Sequence, residues 1–222
     1  MLVVESGYRA IAKYLIFMKM ADTMSQLSCD TKHQVGAFLI KKDFGNIVSI
    51  GYNGPRPGAP NVRKSNESGK SGFYHAEHNC LMRANIPTNS SDYMLFCTLS
   101  PCEACAGDLA IKGIDTVLYK EKYETGYQAG YDAMQDSNIK VDSIWFKTAD
   151  MFQELIQDEL NEFIDGNNAG GITDEGVYIL IQRHLQKFAV PCSWALLDQI
   201  DFRSWQSNYP LEFVKYLYTK IS

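Results

Sequence analysis

Two short motifs bring together residue types that could hold a metal ion and move a proton. The first is His75-Ala76-Glu77, and the second is Pro101-Cys102-Glu103-Ala104-Cys105. One imidazole and two thiolates suit Zn²⁺ and leave the fourth tetrahedral position for water. Glu77 comes two residues after the histidine, close enough to reach that water without ligating the metal. The spacing predicts a catalytic zinc site with His75, Cys102 and Cys105 as its ligands.

A closed structural zinc site and a buried cysteine pair are the alternatives. A closed site needs a fourth protein ligand, and the nearby candidate is His78, three residues after His75 on the same helix face. With this composition the two motifs are expected together by chance about 0.001 times. A structural zinc has no need of Glu77, so that residue favours the open site.

The chemistry expected of an open site is hydrolytic removal of an amine. Zinc lowers the pKa of bound water toward neutrality, and Glu77 takes the proton so that hydroxide attacks the amine-bearing ring carbon. Glu77 then protonates the ring nitrogen and afterwards the leaving amine. The motif pair H-x-E…P-C-x-x-C is the general signature of zinc nucleobase deaminases.

Hydrophobic patterning predicts the elements that position these motifs. A helix over 8–27 precedes a hairpin of Val35–Ile40 and Ile47–Tyr52, and a loop follows to residue 72. The later elements are a helix over His75–Ala84, a strand over Tyr93–Leu99, a helix over Cys102–Ile111, a strand over Thr116–Lys120, a helix over Gly126–Gln135 and a strand over Lys140–Phe146. Such alternation predicts an α/β domain with partly parallel pairing. Parallel pairing would place the N-termini of the two motif-bearing helices side by side, where the helix dipole favours thiolates.

Length and composition bound the remaining possibilities. The chain has 222 residues, 45% of them hydrophobic, and a net charge of −5. The acidic balance argues against an extended polynucleotide-binding surface. No apolar run is long enough to span a bilayer and no secretion signal is evident, so we expect a cytoplasmic protein without a membrane partner. Four of its six cysteines, all outside the Cys-x-x-Cys pair, are expected to pack as small apolar residues.

The chain divides near residue 150. Residues 1–150 carry the α/β pattern, whereas 151–222 read as helix only, with apolar periodicity over 177–188 and 211–218. We therefore predict a deaminase domain over 1–150 and a helical C-terminal extension over 151–222. The extension is rich in aromatic residues, which favours packing over a partner-binding role.

The sequence resembles the deoxycytidylate (dCMP) deaminases of the zinc-dependent cytidine deaminase-like superfamily over about residues 8–146. The segments that carry the resemblance are Ser28…Gln34-Val35-Gly36-Ala37, Gly51-Tyr52-Asn53-Gly54, His75-Ala76-Glu77-x-Asn79, Thr98-Leu99-Ser100-Pro101-Cys102-x-x-Cys105 and Tyr119…Tyr123. The resemblance implies a three-layer α/β/α fold with a mixed five-stranded sheet. It also implies deamination of dCMP to dUMP and ammonia, which supplies dUMP for thymidylate synthesis, by a homo-oligomer, a hexamer in the family.

The same resemblance implies roles for individual residues. His75, Cys102 and Cys105 would hold one zinc ion, and Glu77 would be the proton shuttle. The substrate contacts would be the Ala76 N–H to the base carbonyl, the Ser100 backbone to the exocyclic amine, Asn53 to the deoxyribose and Tyr123 near the sugar-phosphate.

Positive charges near the motifs could bind a phosphate. The loop over residues 54–72 has a net charge of +3, and Arg56 or Lys70 would be its phosphate contact. Lys32 and His33 stand where family members commonly carry two adjacent arginines, which are associated with binding regulatory dCTP or dTTP with Mg²⁺. That regulation, and any role of Mg²⁺, is left open by the replacement.

Other functions fit the same motifs. A deaminase of deoxycytidine, of a modified dCMP or of tRNA adenosine would carry the same zinc ligands. A non-catalytic, zinc-stabilised binding protein would not require Glu77. A small nucleotide remains the favoured substrate because the chain is acidic overall.

Overall fold

The computed structural model describes residues 2–67, 69–88, 91–144, 146–148, 150, 151 and 154. The chain forms two compact units, one over Lys13–Ile144 and one that joins residues 1–12 to 145–222. The first unit carries both motifs. The helices predicted over 177–188 and 211–218 lie outside the described residues. Within the described part, no helix combines the length and the hydropathy needed to cross a membrane.

Four helices and five strands alternate along the described part of the chain. In order they are α1 (Leu2–Ser25), β1 (Gly36–Lys41), β2 (Ile47–Tyr52), α2 (Ala76–Arg83), β3 (Tyr93–Leu99), α3 (Glu103–Lys112), β4 (Thr116–Glu121), α4 (Tyr127–Asp136) and β5 (Lys140–Ser143). Every element expected before residue 147 is present.

Two element boundaries differ from the sequence prediction by more than two residues. Helix α1 begins at Leu2 instead of residue 8, because the apolar stripe used to predict it starts at Tyr8 while no proline stops the helix earlier. Strand β5 ends at Ser143 instead of Phe146. Its pairing partners on β4 run only from Thr116 to Tyr119, and the chain turns helical at Ile144.

The sheet is mixed, with strand order β2-β1-β3-β4-β5. Strand β1 pairs antiparallel with both β2 and β3, whereas β3, β4 and β5 run parallel. The interior strands β1 and β3 are buried along nearly their whole length. Strands that are covered on both faces have continuous apolar sequences, and β1 and β3 follow this rule.

Helices cover both faces of the sheet. Phe38, Phe96 and Leu118 are cross-strand neighbours on one face, and Phe17 of α1 packs on Phe96 with ring centroids 5.7 Å apart. Alternate positions, among them Leu39, point to the other face. There they share a core with buried residues of α2, α3 and α4. The three-layer α/β/α arrangement is thus confirmed for the described part of the chain.

Candidate zinc active site

Both motifs lie at helix N-termini on the same side of the sheet. His75 is the residue preceding α2 and Cys102 is the residue preceding α3, each with extended backbone dihedrals. Neither side chain caps its own helix, so both are available to turn toward each other. Strands β2 and β3, which lead into α2 and α3, both run antiparallel to β1 and are therefore parallel to each other. Together with the packing of α2 on α3, this brings the two helix starts together. The predicted juxtaposition is confirmed.

The three expected ligands form one cluster. His75 Nδ1 lies 3.5 Å from Cys102 Sγ and 3.3 Å from Cys105 Sγ, and all three donor atoms lie within 4.8 Å of one another. Tetrahedral zinc with Zn–N near 2.0 Å and Zn–S near 2.3 Å requires an N···S separation of about 3.5 Å. The donor set and its spacing therefore fit Zn²⁺.

His78 does not join this cluster. Its Nδ1 lies 2.8 Å from Asp108 Oδ2, and its ring stacks on Tyr74 with centroids 5.3 Å apart. Among the described residues, no other histidine, cysteine or carboxylate completes the cluster as a fourth ligand. The arrangement matches an open site better than a closed structural one.

Hydrogen bonds among the three ligand side chains shift their pKa values. Hydrogen bonding with Cys105 and with His75 lowers the pKa of Cys102 to about 4. The hydrogen bond with Cys102 raises the pKa of His75 to about 9, and the bond with Cys102 together with burial raises that of Cys105 far above its usual range. Because zinc binds thiolates and neutral imidazole, it must displace protons here, and its affinity must fall in acid.

Glu77 lies in the first turn of α2 and lines the same cleft as His75 and Cys102. Only 4% of its surface is exposed. Burial raises the pKa of its carboxyl group, although the neighbouring His75 opposes the shift. A carboxyl group with a raised pKa exchanges protons more readily near neutral pH, as a general acid and base must.

Two glycines allow the backbone to approach the site closely. A Cβ on Gly51 of β2 would lie 2.2 Å from the Ala76 carbonyl oxygen, and one on Gly130 of α4 would lie 2.0 Å from the Pro101 carbonyl oxygen. Real Cβ atoms essentially never come so close. Gly51 therefore lets β2 lie against the first turn of α2, and Gly130 lets α4 lie against the peptide that precedes Cys102.

The zinc cluster opens into a cleft of about 290 Å³. Its walls come from the turn after α1, the loop between β2 and α2, the start of α2, the β3–α3 connection and the β4–α4 loop. The four residues expected from the family resemblance to contact substrate all line it: Asn53, Ala76, Ser100 and Tyr123. Ser100 Oγ also accepts a hydrogen bond from the Tyr123 N–H at 2.8 Å, which ties two of these walls together.

Asn53 is held by three hydrogen bonds and is 6% exposed. Its Oδ1 accepts from the Val35 N–H at 2.8 Å. Its Nδ2 donates to the His33 carbonyl at 2.7 Å and to Asp30 Oδ2 at 3.2 Å. Both amide hydrogens are thus used, whereas Oδ1 has a second lone pair. What Asn53 can offer a ligand is an acceptor, which suits a sugar hydroxyl.

The cations predicted to contact phosphate are only partly at the cleft. Lys32 and His33 line it. Arg56 and Lys70 are exposed and are not among its lining residues, and Lys70 pairs with Glu67 at 2.5 Å.

Two other cations line the cleft that the sequence did not single out. They are Arg63 and Lys122. Lys122 Nζ sits 4.7 Å from the centroid of the Tyr127 ring. Arg63 Nη1 bonds both oxygens of Asp30, at 2.6 and 2.5 Å, and its Nε is buried without an acceptor among the described residues. In the sequence, Arg63 is marked only by its position in a positively charged loop. That position does not distinguish it from the other cationic residues of the loop.

Known proteins resemble this chain in both sequence and fold. The family model of the cytidine and deoxycytidylate deaminase zinc-binding region matches residues 12–121. A probable deoxycytidylate deaminase of Caenorhabditis elegans is 28% identical over 141 residues, covering 60% of this chain and 71% of that protein. One of Drosophila melanogaster is 34% identical over 121 residues, covering 48% of this chain and 59% of that protein.

A solved structure gives the same result. The crystal structure of dCMP deaminase from the cyanophage S-TIM5 in complex with dCMP and dUMP is 30% identical, with a TM-score of 0.51. The match covers 58% of this chain and 93% of that one. The family model spans Glu77 and all three residues of the metal cluster. The chain therefore belongs to the deoxycytidylate deaminases of the zinc-dependent cytidine deaminase-like superfamily and is a deaminase enzyme.

Proposed function

We propose that this enzyme converts dCMP and water to dUMP and ammonia and so supplies dUMP for thymidylate synthesis. The observation that carries the proposal is the buried carboxylate of Glu77 beside the His75, Cys102 and Cys105 cluster, in a cleft that Lys32 and Lys122 also line. Two curated relatives bear the name probable deoxycytidylate deaminase, and the phage dCMP deaminase structure holds dCMP and dUMP. These names support a pyrimidine nucleotide as the substrate.

Proton transfer is the part of the reaction that the protein itself performs. Zinc, when bound, supplies the Lewis acidity that makes water a nucleophile at neutral pH. Glu77 accepts the proton of the attacking water and delivers it to the ring nitrogen. It then takes the second proton of the same water from the hydroxyl group that the ring carbon has gained and delivers it to the amine, which leaves as ammonia, so one carboxylate serves twice. Burial of Glu77 keeps this exchange away from bulk solvent.

Main-chain groups at the two helix starts would orient the base. The first N–H groups of a helix have no partner within it, so the Ala76 N–H is placed to donate to the base carbonyl. The Ser100 carbonyl would accept from the exocyclic amine. A uracil base has an oxygen at that position and no hydrogen to donate there, so this contact favours substrate over product.

The outer part of the cleft would hold the sugar and the phosphate. Asn53 Oδ1 would accept a hydrogen bond from a deoxyribose hydroxyl. Lys32, His33 and Lys122 line the cleft and would attract the 5′-phosphate. Arg56 and Lys70, the phosphate contacts expected from the sequence, are not assigned this role because neither residue lines the cleft.

The test is a substrate panel with an ammonia readout. The zinc-loaded 222-residue chain is incubated with dCMP, deoxycytidine, dCTP, single-stranded DNA and tRNA. We expect ammonia from dCMP and little from the others. Turnover of deoxycytidine, DNA or tRNA in preference to dCMP would contradict the proposed substrate. Adding dCTP or dTTP with Mg²⁺ to the dCMP assay tests regulation at Lys32 and His33.

Domain organisation and assembly form a second part of the proposal. We propose that residues 1–150 are the deaminase domain, that 151–222 are a helical extension of it, and that the chain assembles into a homo-oligomer, as the family resemblance implies. Light scattering of the full chain at several concentrations measures the assembly. A monomer at every concentration would contradict it, and a hexamer would match the family.

A further inference from the structure

A buried ion pair joins two walls of the cleft. Arg63 lies in the loop between β2 and α2, and Asp30 lies in the turn that follows α1. Both oxygens of Asp30 accept from Arg63 Nη1, and the two side chains are only 3% and 11% exposed for Asp30 and Arg63. Thirty-three residues separate them in sequence. The pair is therefore a tertiary link and not part of a local turn.

Asp30 also organises the residues that face the substrate. Its carboxylate accepts from the backbone N–H of Lys32 at 2.8 Å and from Asn53 Nδ2 at 3.2 Å. The same carboxylate thus fixes the turn that carries Lys32 and His33 and orients the Asn53 amide. Among the partners of this carboxylate in the described part of the chain, Arg63 is the one that bonds through a positively charged group, so it is the partner that neutralises the carboxylate.

Among the described residues, positions 54–67 of the loop that carries Arg63 make one other hydrogen bond to the turn. Lys32 Nζ donates to the Asn66 carbonyl at 3.3 Å, but this contact is exposed. The described residues between Tyr52 and Ala76 form no helix or strand beyond a single bridge between Gly54 and Tyr74, and irregular loops of this length are uncommon and usually functional. Gly69, Ser71 and Phe73 of this loop line the cleft, and the Lys64 N–H donates to the Ser71 carbonyl at 2.9 Å, which connects them to the segment that carries Arg63.

We propose that Arg63 is a positioning residue for the nucleotide: it acts through Asp30 to hold the β2–α2 loop and Asn53 in place. The inference rests on the proposed deamination of dCMP. Its effect is on substrate binding, because Arg63 and Asp30 belong to neither helix that carries the zinc ligands. An interaction lost equally from bound substrate and transition state raises KM and leaves kcat unchanged.

The first variant removes the charge and keeps a side chain of similar length. Arg63→Met is expected to raise the KM for dCMP about tenfold, the scale of one hydrogen bond to a charged group, with kcat within about twofold. Lys64→Met is the matched control, because it removes the same charge from the next, exposed position. Zinc content and the thermal midpoint of each variant are measured alongside. An unchanged KM in Arg63→Met would overturn the proposal.

A double-mutant cycle separates action through Asp30 from direct contact with substrate. Arg63 Nε has no acceptor among the described residues, which would also suit a direct contact. If Arg63 acts through Asp30, the Asp30→Asn/Arg63→Met double variant is no worse than Arg63→Met alone, since both buried charges are then gone. If Arg63 binds the substrate itself, the KM increase of the double variant equals the product of the increases measured for Asp30→Asn and Arg63→Met alone, and the proposal is wrong.

Two further measurements keep the test decisive if a single variant folds poorly. Arg63→Lys retains a cation that can pair with Asp30, so its KM is expected within about threefold of wild type. A KM as high as that of Arg63→Met contradicts an ion-pair tether. Amide hydrogen exchange over residues 59–67 does not depend on turnover: it should accelerate in Arg63→Met and not in Lys64→Met. Wild-type protein that fails to deaminate dCMP refutes the proposed function, whereas unchanged exchange in Arg63→Met refutes the tether.

Discussion

Gly130→Ala should disturb the zinc site although Gly130 is not a ligand. The glycine lies in α4, where alanine would otherwise favour the helix by about 1 kcal/mol. The new Cβ would lie 2.0 Å from the Pro101 carbonyl oxygen, 3.0 Å from the Pro101 carbonyl carbon and 3.1 Å from the Cys102 carbonyl carbon. All three neighbours are backbone atoms, so no side chain can rotate away to make room.

The size of the effect follows from these distances. Relief of the overlap requires α4 and the Pro101–Cys102 peptide to separate, from 2.0 Å to the 3.4 Å of ordinary contact. Overpacking that forces the backbone to move costs typically about 1–3 kcal/mol. The same movement displaces Cys102 Sγ from His75 Nδ1, which now lies 3.5 Å away, the separation that zinc requires. We expect lower stability together with weaker zinc binding.

The assay compares Gly130→Ala with Gly107→Ala. Gly107 lies in α3, and a Cβ there would meet nothing within 4 Å, so this control should gain up to about 1 kcal/mol from helix propensity. Urea unfolding gives the free energy of unfolding of each zinc-loaded variant, and competition with a chelator gives its zinc affinity. Because the gain in helix propensity is common to both variants, the overpacking cost alone separates them, and we expect Gly130→Ala to be less stable than Gly107→Ala by about 1–3 kcal/mol. Equal stabilities, or a Gly130→Ala protein with wild-type zinc affinity, would refute the reasoning.

Three more predictions concern individual side chains. Glu77→Gln should lower kcat for dCMP at least about 1000-fold, since two proton transfers are lost, while metal analysis finds zinc retained; an active Gln variant would contradict the assigned role. Cys102→Ser should lose zinc on dialysis and become inactive, because a hydroxyl does not replace a thiolate ligand. Although burial by itself would raise it, hydrogen bonds from Lys42 and Thr116 lower the pKa of Asp115. The stabilisation is therefore present above the unfolded pKa near 3.9 and lost as the pH falls through the folded value. Asp115→Asn should lower the free energy of unfolding by up to about 1 kcal/mol at pH 7, with the gap closing in urea titrations below about pH 4.

The metal cluster could be predicted from the sequence because coordination chemistry restricts it. Few residue types bind zinc, and the Cys102–Cys105 spacing at a helix start leaves both thiols on one side. The strand–helix alternation then predicted that His75 would lie beside them. The role of Glu77 as the proton carrier was predicted because it lies two residues after His75 in the sequence.

The cationic residues of the cleft could not be predicted in the same way. The β2–α2 loop has no periodicity, so nothing in its sequence distinguishes Arg63, which turns inward, from Arg56, which is exposed. The difference is a tertiary contact: Asp30, which is 4% exposed, accepts Arg63 and no other loop cation. Lys122 likewise reaches the cleft from a loop whose path depends on the Ser100–Tyr123 hydrogen bond.

The ends of strands also depend on tertiary contacts, namely on the neighbouring strands with which they pair. Strand β5 continues as an apolar pattern past Ser143, but its ladder with β4 ends there. Strand β5 lies at the edge of the sheet and pairs with β4 alone among the described strands, so the end of that pairing sets where β5 ends. The interior strands β1 and β3, which pair on both sides, were predicted to within one residue.

Oxygen-isotope labelling of the product tests the central claim most directly. Zinc-loaded protein is incubated with dCMP in H₂¹⁸O, and the nucleotide is analysed by mass spectrometry while ammonia is measured in the same sample. Hydrolytic deamination predicts dUMP that carries one ¹⁸O atom on the ring, with ammonia in equal amount. Recovery of unlabelled dCMP from protein shown to hold its zinc, or release of ammonia without labelled dUMP, would contradict the account.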